Sequence, residues 1–207
     1  MIKNTKSKLI SKVSNLSDPY MKRLRAEFKR MKIEFPPNES QINWKIINRD
    51  LHFYEIIFPG PKNSPYENGE YVVSIELPGQ YPQVPPIANF ITPIFHPNIA
   101  ANFPKMKVGD QPVYDWGSNI CLSLINPKTI NKSGGWNSEI YLYTVVEHLY
   151  MMLEVFQSKN IDEFPEYLVN PKSPFNPEAG FKLLEGFNEF EKIAKKWNKK
   201  YAIPKKD

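Results

Sequence analysis

Residues 52–77 read HFYEIIFPGPKNSPYENGEYVVSIEL, and this stretch decides the fold class. Residues 52–58 and 71–77 are rich in β-branched and aromatic side chains, which favour strands. Pro-Gly-Pro and Asn-Gly lie between them, and these residue types form turns. Residues 42–47 and 87–91 have the same strand composition on either side. The sequence therefore predicts four strands joined in order as an antiparallel meander.

Helices are predicted before and after these strands in the sequence. Asp18 and Pro19 mark a helix start, because the Asp side chain accepts hydrogen bonds from free N–H groups and Pro suits the first helical turn. Apolar residues then recur every three or four positions until a Pro-Pro pair ends the helix. Residues 140–156 predict a buried central helix, and residues 181–201 predict one long amphipathic C-terminal helix. This order is that of an α+β fold, an antiparallel sheet backed by helices.

The composition fits one folded domain. The chain has 207 residues, of which 41% are hydrophobic, and no apolar run approaches the roughly 20 residues of a membrane span. Residues 1–15 hold scattered lysines and no continuous apolar segment, so no secretory signal is expected. Cys121 is the only cysteine, which excludes an internal disulfide and a cysteine-rich zinc site. We expect a soluble protein of the cytoplasm, the nucleus or both, without membrane contact.

Charge is distributed unevenly along the chain. Residues 1–33 carry +8, residues 192–207 carry +6 and the middle carries −9, for a formal net charge of +5. Basic ends can attract nucleic acid, but a basic helix face is more often simply solvated. No nucleic-acid motif accompanies these lysines, so nucleic acid is not an expected partner.

A series of short motifs follows the first helix in a fixed order. They are Gly60-Pro61, Ser64-Pro65-Tyr66, Gly69, Tyr81-Pro82-Gln83-Val84-Pro85-Pro86, Phe95-His96-Pro97-Asn98-Ile99, Gly117-Ser118-Asn119-Ile120-Cys121-Leu122, Trp136, Asn170-Pro171-Lys172-Ser173-Pro174 and Trp197-Asn198-Lys199-Lys200-Tyr201-Ala202. Together they resemble the ubiquitin-conjugating enzymes over residues 19–202. The resemblance implies the UBC-like fold, with an N-terminal helix, a four-stranded antiparallel meander, a central helix and C-terminal helices. It also implies an acyl transferase that works through a cysteine thioester.

Cys121 matches the thioester cysteine of that family. A thiolate is both a good nucleophile and a good leaving group, so it can accept the C-terminal glycine of a modifier and release it again. A lone cysteine is otherwise commonly a small buried hydrophobe. The polar stretch around Gly117 and Asn119 favours the reactive interpretation.

The resemblance assigns roles to four more residues. Asn98 is expected either to stabilise the oxyanion that forms during transfer or to hold the active-site loop together. His96 and Pro97 are expected to shape the turn before it. Ser173 matches the gate of the catalytic groove, where its hydroxyl could orient the incoming lysine and where phosphorylation would add negative charge. The alternative for Ser173 is a plain turn residue before proline.

The resemblance also implies partners. They are ubiquitin or a ubiquitin-like protein, an activating enzyme that uses ATP, a ubiquitin ligase and the lysines of protein substrates, with no metal and no cofactor bound to this chain. Lys22 and Arg23 are expected to bind partners from the first helix, and Gln83, Ser138 and Glu139 from two loops. Gln83 replaces a common aromatic residue, and Ser138-Glu139 replaces Pro-Ala. The usual ligases are therefore expected to bind poorly.

Three insertions interrupt the family pattern, and all of them border the predicted site. Inserted loops of this length are commonly functional or mobile. They cover about residues 100–116, 126–135 and 157–169. The predicted organisation is a basic N-terminal extension over residues 1–17, a catalytic domain over 18–203 and a tail over 204–207.

Four other functions stay open at this point. The chain could conjugate a Nedd-type or SUMO-type relative of ubiquitin, or it could be a non-catalytic binding module with the same fold. A nucleic-acid binder would show a steep salt dependence of binding. A cysteine hydrolase needs a histidine beside its thiol, and His52, His96 and His148 carry no signature that places them there.

Overall fold

The sheet is the predicted meander. The computed structural model describes residues 18–100 and 117–204. Four antiparallel strands are neighbours in chain order: β1 (Asn43–Ile46), β2 (Phe53–Pro59), β3 (Gly69–Glu76) and β4 (Ile87–Phe90). Their bounds lie within two residues of the sequence prediction, because the strand composition and the turns between the strands are both clear in the sequence.

A fifth, short strand was not predicted. β5 (Ile203–Pro204) pairs with β3 at Gly69 and Glu70, beyond the end of β4. Two residues are too few to produce a strand pattern in the sequence. Pro204, the first residue of the predicted tail, is therefore paired with the sheet, and residues 205–207 lie outside the described residues.

Within residues 18–100 and 117–204, four helices accompany the sheet. They are α1 (Pro19–Glu34), α2 (Leu142–Glu154), α3 (Pro177–Glu185) and α4 (Phe187–Tyr201). The Asp18 side chain caps α1 as predicted, accepting from the backbone N–H of Tyr20 at 3.0 Å. Short 3₁₀ turns over Ser123–Ile125, Pro127–Thr129, Val155–Gln157 and Ile161–Glu163 connect the remaining segments.

The C-terminal segment is two helices, and the prediction of a single long helix is wrong. Gly186 ends α3 and begins α4 with φ 147° and ψ 148°. L-residues with a side chain rarely adopt such a φ, so glycine permits the break. Apolar residues continue on both sides of Gly186, which made the two helices look like one.

The core lies between one face of the sheet and the helices. Side chains along β2 alternate, so that Tyr54, Ile56 and Phe58 are fully buried while their neighbours are more exposed. The helices close the core with apolar side chains that are also fully buried, which include Leu24 and Met31 of α1, Val145 and Leu149 of α2, and Phe190 of α4. The α+β class and the order of elements are confirmed.

Candidate functional site

The segment that carries Cys121 is attached to the edge of the sheet by polar side chains. The side-chain amide of Asn119 accepts from the backbone N–H of Phe90 at 2.9 Å and donates to the carbonyl of Phe90 at 3.0 Å. Ser118 Oγ donates to the carbonyl of Ala88 at 2.6 Å. Asn119 and Ser118 are both completely buried. They take the place of a further strand beside β4, because they form the hydrogen bonds to the β4 backbone that a neighbouring strand would form.

The side chain of Asn89, on β4, also forms hydrogen bonds to this segment. Its Nδ2 donates to the carbonyl of Gly117 at 3.0 Å, and its Oδ1 accepts from the backbone N–H of Asn119 at 2.8 Å. These three anchoring side chains were not predicted as site residues. The sequence pattern predicts a polar loop over residues 117–119, whereas Ser118 and Asn119 are buried and hydrogen bond to the backbone of β4.

The segments before and after the first insertion run antiparallel. Cys121 N–H donates to the carbonyl of Asn98 at 2.7 Å, and Ala100 N–H donates to the carbonyl of Asn119 at 2.9 Å. Ile99 and Ile120 form a β-bridge between these two bonds. Of the predicted insertion over residues 100–116, only Ala100 lies within the described residues. The residues directly before Cys121 therefore lie beside the residues at which the first insertion begins.

The side chain of Asn98 connects Cys121 to a third segment. Asn98 Nδ2 donates to the carbonyl of Cys121 at 3.1 Å, and Asn98 Oδ1 accepts from the backbone N–H of Asn170 at 3.0 Å. Only 3% of Asn98 is exposed. Both ends of its amide therefore hold backbone groups in place, an arrangement that favours the loop-holding role.

His96 and Pro97 lie in the turn before Asn98. The backbone N–H of Asn98 donates to His96 Nδ1 at 3.0 Å, which leaves Nε2–H to donate to the carbonyl of Met152 at 3.0 Å. His96 is completely buried, and burial lowers the pKa of its imidazole to about 4. The carbonyl of Pro97 accepts from the N–H groups of Phe175 and Asn176, both at 2.8 Å.

Ser173 lies in the segment that Asn98 holds. Asn170 Oδ1 accepts from the N–H groups of Lys172 and Ser173, at 3.0 and 3.1 Å. Asn170 is thereby bonded to Asn98 through its backbone and to the turn of Lys172 and Ser173 through its side chain. The Ser173 residue is exposed. Hydrogen bonds therefore connect Cys121, Asn98 and the Ser173 turn into one unit, and Asn170 is a further residue of this unit that was not predicted.

A groove begins at the residues that follow Cys121. Its volume is about 490 Å³, and both the second and the third insertion contribute to its walls. Cys121 is a free cysteine, and the residue is half-buried. The lining residues are Leu122, Ser123, Leu124, Ser133, Gly134, Gly135, Ile140, Thr144, His148 and Tyr167. The groove is large enough to hold a short peptide segment, and its lining begins at the residue after Cys121.

The predicted partner-binding residues lie on α1 and on two loops that contact each other. Lys22, Gln83, Ser138 and Glu139 are exposed. Trp136 Nε1 donates to the carbonyl of Pro82 at 2.8 Å and joins the two loops.

The guanidinium of Arg23 forms hydrogen bonds within the protein. It donates to Glu27 Oε1 at 2.5 Å, to the carbonyl of Ser138 at 2.6 Å and to the carbonyl of Ile140. Only 16% of its side chain is exposed. The partner-binding role of Arg23 stays a prediction, and its observed contacts hold α1 to the loop before α2.

Glu27 is a buried carboxylate that the sequence did not single out. Its Oε1 accepts from the hydroxyl of Tyr81 at 2.6 Å, and its Oε2 accepts from the N–H of Leu142 at 2.8 Å. Leu142 is the first residue of α2, where unpaired N–H groups favour a negative charge. Glu27 therefore joins α1 to the start of α2, the helix that forms one wall of the groove.

Two further features of the described residues concern metals and membranes. Within residues 18–100 and 117–204, no cluster of His, Cys, Asp and Glu side chains could hold a metal ion. None of the helices in the same part of the chain has the length and hydrophobicity needed to cross a membrane.

The fold and this site define a class: α+β domains with one partly exposed cysteine fixed beside a groove by a buried asparagine. The family model for "Ubiquitin-conjugating enzyme" matches residues 23–103 and ends before Cys121. Ubiquitin-conjugating enzyme E2 22 of Arabidopsis thaliana is 31% identical over 193 residues, which cover 92% of this chain and 61% of the relative. Ubiquitin-conjugating enzyme E2 S of Drosophila willistoni is 28% identical over 197 residues, covering 95% and 76%.

A solved structure shares the fold. The E2 domain of a Toxoplasma gondii ubiquitin conjugating enzyme superposes with a TM-score of 0.62 at 23% identity, covering 88% of this chain and 99% of that domain. The chain belongs to the ubiquitin-conjugating enzyme family.

Proposed function

We propose that this protein accepts ubiquitin as a thioester on Cys121 from the activating enzyme and passes it to a lysine or a ligase. The observation that carries the proposal is the setting of Cys121. Cys121 is a free, half-buried cysteine, and its backbone N–H and carbonyl are both hydrogen bonded to Asn98. A nucleophile needs access for its partner and a fixed position, and this arrangement supplies both.

The groove beside Cys121 suits the extended C-terminal tail of a modifier. Its lining includes the apolar residues Leu122, Leu124 and Ile140. Ser133, Gly134 and Gly135 also line it, and the absence of large side chains at these positions lets another backbone approach closely. A tail lying here would bring its terminal glycine to the Cys121 thiol.

The chemistry needs two acyl transfers. The Cys121 thiolate first attacks the activated carboxyl of the modifier, and the group that activated this carboxyl leaves with its bonding electron pair. A neutral lysine amine then attacks the thioester carbonyl carbon; a C–N bond forms, the C–S bond breaks, Cys121 leaves as a thiolate and the amine proton goes to solvent. Asn98 would hold the Cys121 backbone and the turn that carries Ser173 in fixed relative positions during both steps. Ser173, exposed on that turn, would orient the incoming amine by hydrogen bonding.

The remaining parts of the proposal follow from family membership. The activating enzyme uses the ATP, so this chain needs no bound cofactor. Lys22, Gln83, Ser138 and Glu139, which are exposed, would contact the activating enzyme or a ligase. The proposed location is the cytoplasm, the nucleus or both, where a free thiol stays reduced.

The test is a charging reaction with activating enzyme, ATP and ubiquitin. We expect an adduct that a thiol reductant removes, and its complete loss in Cys121→Ala. Cys121→Ser is the matched control, because an oxygen ester at the same position resists the reductant. An adduct with a Nedd-type or SUMO-type protein but not with ubiquitin would reassign the modifier. No adduct with any of these proteins would refute the proposal and leave a binding module.

A further inference from the structure

The face of the sheet that points away from the core carries apolar side chains that solvent reaches. On this outer face, Ile57 and Val72 are partners in the β2–β3 register, and the Ile91 N–H donates to the carbonyl of Val72 at 2.8 Å. The three residues therefore form a row across β2, β3 and the end of β4. Ile91 is 49% exposed, and Phe53, at one end of the same face, is 40% exposed. Neighbouring apolar side chains of this kind indicate an interaction surface, whereas single ones do not.

Carboxylates flank this row. Glu55, Glu70 and Glu76 alternate with buried neighbours along β2 and β3, which places them on the outer face as well. Glu55 forms an ion pair with Lys45 at 2.6 Å. Among the described residues, no basic side chain forms an ion pair with Glu70 or Glu76. The outer face therefore carries an excess of negative charge and suits a basic partner.

The N-terminal segment, residues 1–17, has the complementary composition. It contains four lysines and neither Asp nor Glu. Its apolar residues Leu9, Val13 and Leu16 recur at spacings of four and three, a pattern that predicts one apolar side. The segment thus combines positive charge with apolar side chains, which are the two features that the outer face would attract. The lysines are Lys3, Lys6, Lys8 and Lys12.

The segment joins the described fold close to one end of the outer face. It precedes α1, where the hydroxyl of Tyr20 donates to the carbonyl of Leu77, the residue after β3, at 3.0 Å. The ring of Tyr20 is 5.3 Å from that of His52, the residue before Phe53. From Phe53 to Ile57 the distance along β2 is about 13 Å, at about 3.3 Å per residue. A segment of this length spans about 25 Å even as a helix, so it can reach across the face while α1 stays in place.

We propose that the N-terminal segment docks on the outer face of the sheet of its own molecule. Its lysines would lie against the carboxylates, and its apolar side chains would cover Ile57, Val72 and Ile91. This surface is separate from the groove beside Cys121, and the proposal does not depend on the proposed function. Another protein could bind the outer face only by displacing the segment. Salt would favour displacement, because it screens the attraction between exposed charges.

The first experiment treats the full wild-type chain with a water-soluble carbodiimide, which joins amines to carboxylates that contact each other. The linked peptides are mapped by mass spectrometry on the monomer fraction. At low ionic strength we expect amide links between the lysines of the segment and Glu70 or Glu76. Sodium chloride at about 1 M, where the screening length is about 3 Å, should lower the yield of these links by about fivefold or more.

Two variants of the segment separate apolar contact from charge. Val13→Asp and Ser14→Asp add the same negative charge at adjacent positions, but only the first removes an apolar side chain. We expect Val13→Asp to lower the yield of the links by about fivefold more than Ser14→Asp, because burying an unpaired carboxylate against apolar side chains is unfavourable. Both positions lie outside the described fold, so the sheet itself is unchanged by the substitutions.

A pair of introduced cysteines provides a second measurement. Cys121→Ser removes the only cysteine and gives the background. Ser11→Cys is then combined with Ser74→Cys, since Ser74 lies between Glu55 and Asn89 in the strand register of the outer face. The control combines Ser11→Cys with Ser133→Cys, because Ser133 is exposed and lines the groove. We expect the disulfide within one monomer to form about tenfold faster in the first pair than in the control, owing to its higher effective concentration.

Other occupants of the face would give different results. Links from Lys105 or Lys107 to the same carboxylates would assign the face to residues 101–116, and links confined to covalent dimers would assign it to a second copy. Either result would overturn the proposal. So would the absence of links to Glu55, Glu70 and Glu76, yields that respond to neither salt nor Val13→Asp, or equal disulfide rates in the two cysteine pairs.

Discussion

The side chain of Asn98 donates to the carbonyl of Cys121 at 3.1 Å while its oxygen accepts from the backbone of Asn170 at 3.0 Å. A single amide thus connects the cysteine segment to the segment that begins at Asn170 and carries Ser173. This geometry favours a positioning role for Asn98 over direct oxyanion stabilisation, and the two roles predict different kinetics.

Asn98→Ala should slow both charging of Cys121 and discharge of the thioester to free lysine. A misplaced Cys121 affects both steps, whereas loss of an oxyanion donor for aminolysis alone would lower only discharge, by about 100-fold. We expect the two rates to fall by similar factors, each about tenfold or more. Single-turnover charging and discharge assays measure them separately, and a selective loss of discharge would contradict the positioning role.

Asn119→Ala should strongly destabilise the protein. The substitution removes two buried hydrogen bonds to the backbone of Phe90, and losing the partner of a buried polar group costs about 1–3 kcal/mol. We expect the free energy of unfolding in urea to fall by about 3 kcal/mol. Asn137→Ala is the control, because Asn137 is exposed and accepts one hydrogen bond within its own loop. Equal effects of the two substitutions would show that Asn119 does not anchor the cysteine segment.

Glu27→Gln should destabilise the contact between α1 and α2. A glutamine amide keeps one acceptor oxygen, so either the Leu142 N–H or the Arg23 and Tyr81 donors lose their partner. We expect a loss of about 2 kcal/mol in the free energy of unfolding, since hydrogen bonds to charged groups are the stronger ones. Glu34→Gln removes only the exposed pair with Arg30 at 3.4 Å and should change stability by less than about 1 kcal/mol.

His96 should make the fold sensitive to mild acid. Burial lowers the pKa of His96 from 6.5 to about 4, so the unfolded chain binds more protons between these two pH values. The stability contributed by the neutral imidazole is complete above pH 6.5 and is lost as the pH falls toward 4. The slope from this group approaches about 1.4 kcal/mol per pH unit. Urea unfolding of wild type and His96→Gln at several pH values gives the difference in slope, and identical slopes would contradict the assignment.

Local patterns were sufficient to predict most of the fold. The strands and α1 were predictable because alternation, turn residues and the Asp18 cap act over a few positions along the chain. The break at Gly186 was missed because the apolar spacing continues through it, and β5 was missed because it is short. These errors concern one break within a helix and one additional short strand, and they leave the order of the other elements unchanged.

The site was predictable only in its motif residues. The resemblance selected Cys121, Asn98 and Ser173, and the structure connects the first two to the turn that carries the third. The anchors Asn119 and Glu27 were missed because their partners are distant in sequence, Phe90 for one and Leu142 for the other. A polar residue in a loop pattern gives no sign of burial until the segment that satisfies it is known.

The antiparallel pairing of Ala100 with Asn119 has a consequence for how this family can diversify. Cys121 is held by hydrogen bonds to Asn98, and both residues lie outside the inserted stretch. The number of residues inserted between Ala100 and Asn119 therefore does not set the position of Cys121. Doubling the length of such a connection changes the closure free energy by only about 0.6 kcal/mol. Sequence can be added, exchanged or removed there during evolution, or a reporter grafted in the laboratory, while the nucleophile keeps its place.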